Sequence, residues 1–234
     1  MPVKYTIEEI DWFFYKYSCL KKVLSEQEIN TLFSEWKSNN SINPHDYFWL
    51  LFNKALMVNA ESFRNGRSEL DFYNNQSSLY YNMASFRGEE GANKESINNF
   101  IRLGHQSIID NAKYDSLSDS VEMEVIVNSS TKTTFAPEYL CQYGNSENRK
   151  KYSPVEFMDK CFIATDKCTR EGGCSCSLAS VMKRDAEGNL IFKEEIKKNT
   201  KSKKEPKGCV MVFIPIIILF TIASIFLLKP SILH

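Results

Sequence analysis

The sequence predicts a mainly α-helical protein, in which a helical bundle is followed by a small α+β cysteine-rich module and a single C-terminal transmembrane helix. Three observations lead to this fold class. Capped segments with a helical period of apolar residues fill the first half of the chain. Five of the seven cysteines then lie between Cys141 and Cys176. Finally, residues 210–228 are strongly apolar and contain no charged residue.

The first two helices are predicted from their N-terminal caps. Thr6 and Glu9 form a capping-box pattern ahead of IDWFFYKYSCLKKVL, which predicts one continuous helix with a broad apolar stripe. Ser25 and Glu28 repeat this pattern ahead of INTLFSEWK. Cys19 stands alone within the first apolar pattern, and we expect it to be a core residue.

Three longer helices complete the predicted bundle. Asn43 caps the third helix, and Pro44 suits its first position. This helix contains YFWLLFNKALMVNAESF, which is apolar on most sides and is therefore expected to be the central core helix. FYNNQSSLYYNMASF predicts a fourth helix, and Asn93 begins a fifth with isoleucines mostly on one side. We place the helical domain at residues 1–117.

The character of the sequence changes after residue 118. VEMEVIVNSS alternates apolar residues with glutamates, which predicts a half-buried strand. We expect TKTTFAPEYLCQYGN to be extended and loop-like, SPVEFMDK to be a short helix capped by Ser153, and CFIATDKC to be a strand. These elements place the small cysteine-rich module at residues 118–192.

The apolar run predicts a membrane-spanning helix at residues 209–228. Nineteen or twenty helical residues at about 1.5 Å each cover roughly 30 Å, the thickness of the hydrocarbon core of a bilayer. The alternative is a buried core helix, but such helices rarely remain apolar on every side for about five turns. Because only residues 229–234 follow, we expect a tail-anchored protein. Three acidic residues interrupt the apolar character of the start, MPVKYTIEEIDWFF, which therefore does not resemble a signal peptide.

Charge predicts the orientation of this span. The preceding stalk, residues 193–208, contains seven lysines and three glutamates. Short basic flanks stay in the cytoplasm and attract anionic lipid headgroups, so we expect a single-pass membrane protein whose body faces the cytoplasm.

The chain has 29 basic and 29 acidic residues. Without the stalk and Lys229, residues 1–192 contain 21 basic and 26 acidic residues. This acidic body argues against nucleic-acid binding.

The clustered cysteines are candidate metal ligands: Cys141, Cys161, Cys168, Cys174 and Cys176. In a reducing cytoplasm, such clustering favours a metal over disulfides. Cys168, Cys174 and Cys176 surround a turn at Gly172 and Gly173, and zinc takes four ligands. On spacing alone, the fourth ligand is either Cys161 or Cys141. The alternative is a set of reduced cysteines in a loop-rich core.

Four segments, NMASFRGEEG, VEMEVIV, SPVEFM and CTREGGCSCSL, follow one another over about residues 75–180. Their order resembles bacterial proteins in which a helical region precedes the cysteine-rich knuckle of phage-head-morphogenesis (Mu F-like) proteins. The resemblance implies a structural zinc held by Cys141, Cys168, Cys174 and Cys176, with Cys161 spare, and no catalytic residues. The chain departs from the pattern where a C-x2-C pair is expected, because only Cys141 is present there, with Glu138 three residues before it.

These features predict an interaction protein rather than an enzyme. We expect a cytoplasmic helical domain that associates with membrane lipids and with a protein partner or a second copy of itself, and that binds no nucleic acid. One alternative is an oligomerising membrane effector, defence or toxin-like, that acts through its transmembrane helix, where Thr221, Ala223 and Ser224 are small or polar. Another is an enzyme that uses Cys161, Cys168 or His105, although His105 is expected to be a solvated or capping residue.

Overall fold

Helices dominate the computed structural model, which describes residues 4–39, 43–114, 119–129 and 141–193, so the mainly α fold class is confirmed. A short 3-10 helix at Ile7–Glu9 precedes six α-helices: α1 (Ile10–Lys16), α2 (Cys19–Val23), α3 (Glu26–Ser38), α4 (Pro44–Arg64), α5 (Glu69–Glu89) and α6 (Lys94–Tyr114). None of the helices in these ranges is long and apolar enough to cross a membrane. The predicted span at residues 209–228 and the stalk after Lys193 lie outside the described residues.

The segment predicted to be one first helix forms two, α1 and α2. The backbone leaves helical geometry at Tyr17, with φ −104° and ψ 52°. The prediction of a continuous helix is therefore wrong, and burial explains why. In a continuous helix Cys19 would lie about 200° round the axis from Tyr17, whereas the break allows both side chains to be buried.

Helix α4 supplies the centre of an aromatic core, as predicted. Its buried residues include Tyr47, Phe48, Leu51, Phe52 and Ala55. Phe13 of α1 stacks on Phe48 with ring centroids 3.6 Å apart, and Phe86 of α5 meets Phe48 edge-on at 5.8 Å. These contacts hold α1, α4 and α5 around one cluster. On the remaining surface of α4, Leu50 and Met57 are exposed.

A three-stranded antiparallel sheet follows the helices, with strand order β2-β1-β3. Its strands are β1 (Met123–Asn128), β2 (Lys151–Tyr152) and β3 (Ser177–Met182). Strand β1 confirms the strand predicted from alternation, because Val125 and Val127 are fully buried. It pairs along its whole length with β3, from Met123 opposite Met182 to Asn128 opposite Ser177. No strand is predicted from the sequence at β3.

Two segments between β1 and β3 differ from the prediction. Residues after Cys141, expected to be loop-like, form helix α7 (Gln142–Glu147), because the Cys141 sulfur caps it by accepting a hydrogen bond from the Gly144 N–H at 3.2 Å. The short helix predicted in the next segment is present as α8 (Phe157–Lys160). Residues 161–168, expected to be a strand, form turns instead, and Ala164 has a φ of 59°, which a strand does not permit.

Helix α6 joins the helical part to the sheet. Ile97, Ile101, Ile108 and Ile109 belong to a second core together with β1, β3 and five buried cysteines. Helix α5 also packs along α6, which therefore borders both the aromatic core and the second core. The described residues accordingly form one compact unit. The predicted helical domain and the predicted cysteine-rich module thus share α6.

Candidate metal centre

Four of the five candidate cysteines lie together in the second core. Cys141, Cys168, Cys174 and Cys176 are all buried, and we call them the four-cysteine cluster. The sulfurs of Cys141 and Cys168 are 3.4 Å apart. The thiol of Cys174 interacts with the thiols of both Cys168 and Cys176. Two parts of the chain, at Cys141 and in the loop of residues 168–176, therefore bring their sulfurs to one place.

The fifth candidate, Cys161, has different partners. It follows α8, and its thiol interacts with the Tyr152 side chain and with the backbone of Ile163. Burial raises the pKa of this thiol. The structure thus places Cys161 in the same core but groups its thiol with β2 rather than with the four-cysteine cluster.

Short local turns direct backbone N–H groups at the sulfurs. The Gly144 N–H points at Cys141, as described above, and the Cys176 N–H donates to the Cys174 sulfur at 3.4 Å. Gly144 also lies against the cluster, since a Cβ atom there would stand 2.6 Å from the Cys176 sulfur. N–H donors of this kind stabilise negative charge on sulfur, so these turns suit thiolates as well as thiols.

Helix α6 supplies side chains that bind the backbone of the cysteine-bearing loop. The Cys174 N–H donates to Asn98 Oδ1 at 2.8 Å, and His105 Nε2 donates to the Cys176 carbonyl at 3.0 Å. On the same helix, Lys94 donates to the Cys168 carbonyl, and Arg102 donates to a carbonyl in the turn after α8. Three polar residues of α6 therefore hold the loop on which three of the four cysteines lie, and Arg102 holds the turn before it.

His105 is buried, so the prediction that it is solvated is wrong. Its Nε2 faces a carbonyl oxygen, which only accepts hydrogen bonds, so Nε2 carries the proton of the neutral ring. Burial lowers the pKa of His105 to about 4, which keeps the ring neutral near pH 7. The sequence does contain one indication that His105 is buried. Asn98, Arg102 and His105 recur at helical spacing among the buried isoleucines of α6.

Without a metal, two thiols of the cluster hold their protons firmly. The hydrogen bond with Cys174, together with burial, raises the pKa of Cys168 well above its usual range. At Cys174, the hydrogen bond with Cys168 lowers the pKa, but the hydrogen bond with Cys176 and burial outweigh it and raise the value to about 12. The hydrogen bond with Cys174 lowers the pKa of Cys176. Cys168 and Cys174 are therefore neutral thiols near pH 7, while Cys176 ionises more readily than either.

The donor set fits zinc better than it fits harder metal ions. Four cysteine sulfurs are a common ligand set of closed, structural zinc sites. Sulfurs around a tetrahedral zinc lie about 3.8 Å apart because each Zn–S bond is about 2.3 Å long. The 3.4 Å between Cys141 and Cys168 is close to that spacing. As they stand, the described residues contain no group of three or more His, Cys, Asp or Glu already arranged to hold an ion, so the thiols would have to rearrange to bind one.

No protein-family model matches the chain, and no curated protein or solved structure is similar to it at a significant level. The resemblance to the Mu F-like knuckle stays a prediction. What supports a metal centre is the geometry of the four-cysteine cluster.

Proposed function

We propose that residues 1–192 are a zinc-stabilised interaction domain, held at the cytoplasmic face of a membrane by a span at residues 209–228. The observation that carries the zinc is the meeting of four buried thiols, one at Cys141 and three from the loop of residues 168–176. Cys141, Cys168, Cys174 and Cys176 are the proposed ligands. Cys161 is excluded from the set because its thiol interacts with Tyr152.

The proposed role of zinc is structural. A catalytic zinc keeps one coordination position for water or substrate, whereas four cysteines fill all four positions. The part of the chain that would gain is small: a three-stranded sheet with one two-residue strand, and helices of six and four residues. Such a small module buries little apolar surface of its own, so metal binding would add directly to its folding free energy.

The membrane anchor is proposed from the sequence. Residues 210–228 contain no charged residue, and the stalk before them contains seven lysines. The apolar run is long enough to cross a bilayer, and the lysines favour both a cytoplasmic position and contact with anionic lipids.

The interaction role is supported by apolar side chains exposed on the helices. Tyr15 on α1 is 83% exposed and its neighbour Trp12 is 50% exposed. On α4, Leu50 and Met57 are 42% and 67% exposed, and their spacing of seven residues places them on one face. These side chains fit a protein partner or a second copy of the chain, which would cover them.

Metal analysis tests the zinc. The full chain, purified in detergent under reducing conditions without chelator, should contain one zinc per chain. Replacing Cys174 and Cys176 together by serine should abolish zinc binding, whereas Cys161→Ser, a change at another buried cysteine of the same core, should retain it. A wild-type chain with well under one metal per molecule would leave the cluster as structural thiols. Loss of zinc from Cys161→Ser alone would instead correct the ligand set.

Membrane extraction tests the anchor. The full chain should stay with membranes washed in alkaline carbonate, and a chain lacking residues 209–234 should be released. Protease added to sealed cells should leave the body intact, and protease added after lysis should digest it. Recovery of the full chain in the high-speed supernatant would show that the apolar run is not a span.

A further inference from the structure

The turn between Cys174 and Cys176 is held on both sides by buried polar side chains from α6. Asn98 accepts the N–H of Cys174 at 2.8 Å, and His105 donates to the carbonyl of Cys176 at 3.0 Å. Both side chains are almost fully buried, at 1% and 2% exposure. These contacts act on the backbone at each of the two cysteines, so they fix the direction in which both sulfurs leave the chain.

Asn98 has an unused donor on the side chain that binds the Cys174 N–H. Among the described residues, its Nδ2 has no hydrogen-bond partner although the atom is buried. Burying an amide donor without a partner is unfavourable, and an unpaired group of this kind requires an explanation. A thiol is a weak acceptor, whereas a metal-bound thiolate carries charge and is a stronger one. The amide is therefore better suited to a cluster of thiolates than to a cluster of thiols.

His105 is itself held in place by aromatic rings. The rings of Tyr81 and Phe157 meet it edge-on, with centroids 5.8 Å and 6.5 Å away. The Tyr81 hydroxyl also accepts the N–H of Leu178, two residues after Cys176. The donor to the Cys176 carbonyl therefore has little freedom to move, as a residue that orients a ligand requires.

We infer that Asn98 and His105 are positioning residues for the metal, which orient the Cys174–Cys176 turn before zinc binds. This inference rests on the proposed zinc function. Neither residue is a ligand: Asn98 acts through the N–H of Cys174, and His105 acts through the carbonyl of Cys176. Residues of this kind typically change metal affinity by about 10–100-fold when they are removed.

The experiment measures zinc affinity of the full chain in detergent by competition with a chromophoric chelator, and repeats the titration with Co²⁺. Asn98→Ala removes the acceptor of the Cys174 N–H. The matched control is Asn111→Ala, a second buried asparagine of α6, thirteen residues or about 20 Å further along the helix. At the other contact, His105→Leu removes the donor, whereas the amide nitrogen of His105→Gln can replace Nε2.

We expect Asn98→Ala and His105→Leu to weaken zinc binding by about 10–100-fold, with His105→Gln and Asn111→Ala close to wild type. The ligand-field bands of bound Co²⁺, which report the geometry of the four sulfurs, should shift in the first two variants only. Should Asn98→Ala fail to fold, the comparison of His105→Leu with His105→Gln decides the question.

Three results would overturn the inference in different ways. Wild-type affinity in both Asn98→Ala and His105→Leu would remove the positioning role and leave the zinc site standing. An equal loss in Asn111→Ala would show that general destabilisation of α6 is the cause. A wild-type chain that binds neither Zn²⁺ nor Co²⁺ would remove the zinc function, and the positioning role with it.

Discussion

Gly173 lies where the cysteine turn touches α6, and its geometry admits no side chain. Its φ is +84°, a conformation that glycine adopts without strain and other residues rarely adopt. A Cβ atom there would stand 2.6 Å from Cγ2 of Ile97. Gly172, the other glycine of the predicted turn, has no atom within 4 Å of the corresponding position. Of the two adjacent glycines, only Gly173 is required by contact with α6.

Gly173→Ala should therefore destabilise the protein, by about 1–3 kcal/mol, because the new methyl group forces either the turn or Ile97 to move. Chemical denaturation of the reduced full chain measures the free energy of unfolding. Gly172→Ala is the matched control and should change that free energy by less than about 0.5 kcal/mol. Equal effects of the two substitutions would show that the contact with Ile97 does not constrain the turn.

The sequence alone identifies the clustered cysteines, but it does not identify the α6 side chains that contact them. Cysteine is recognisable by type and spacing, so the sequence alone identifies all four residues of the cluster as candidate metal ligands. Asn98 and His105 lie 76 and 71 residues from the backbone groups that they bind. No local pattern indicates a contact over that distance, so the sequence predicts a solvated or capping His105 and not a buried one.

Among the elements, the capped helices illustrate what local sequence determines. Ser25 and Glu28 form the predicted capping box at the start of α3, with Ser25 Oγ accepting the Glu28 N–H and Glu28 accepting the Ser25 N–H at 2.9 Å. Both partners lie within four residues, so the capping box can be recognised from the sequence. Strand β3 and the turns of residues 161–168 depend instead on pairing with β1 and packing on α6, which the local sequence does not report.

Ser25→Ala should lower the free energy of unfolding by about 1 kcal/mol, because it removes the acceptor of an otherwise unpaired N–H at the helix start. The control is Ser34→Ala in the same helix, where the exposed hydroxyl only bonds to the carbonyl of Asn30. Urea unfolding of both variants provides the comparison. An effect of Ser34→Ala as large as that of Ser25→Ala would mean that the cap adds nothing.

The contribution of Glu28 should depend on pH. Hydrogen bonding from the Ser25 N–H holds the pKa of the Glu28 carboxyl below its usual 4.5. A lowered pKa in the folded state means that this stabilisation is present above about pH 4.5 and is lost as the pH falls through the folded-state pKa. The difference in unfolding free energy between wild type and Glu28→Gln should therefore shrink below pH 4.5. A difference that is constant from pH 7 to pH 3 would contradict the assignment.

In the whole molecule, α6 determines how far a change at the cysteines spreads. The aromatic core of α1, α4 and α5 has its own stacked and edge-on ring contacts. The second core depends on α6 for one wall and on the cysteine-bearing loop for another. The sequence boundary near residue 117 separates two compositions, but the packing on α6 crosses it. Loss of the proposed zinc should consequently reach into the helical part through α6 and stop at the aromatic core.

Hydrogen exchange of the full chain in detergent tests this gradient. After removal of metal with a chelator, amides of β1, β3 and α7 should lose protection most, because the cluster that joins their segments would no longer be held by four metal–sulfur bonds. Amides of α6 should lose part of their protection, and amides of α4, buried among aromatic rings, should keep theirs. The variant with Cys174 and Cys176 both replaced by serine should show the same gradient without chelator, which excludes an effect of the chelator itself.

Equal loss of protection in α4 and β3 would mean that the unit unfolds as a whole when the metal is removed. Unchanged protection in β3 would mean that the metal does not stabilise the sheet.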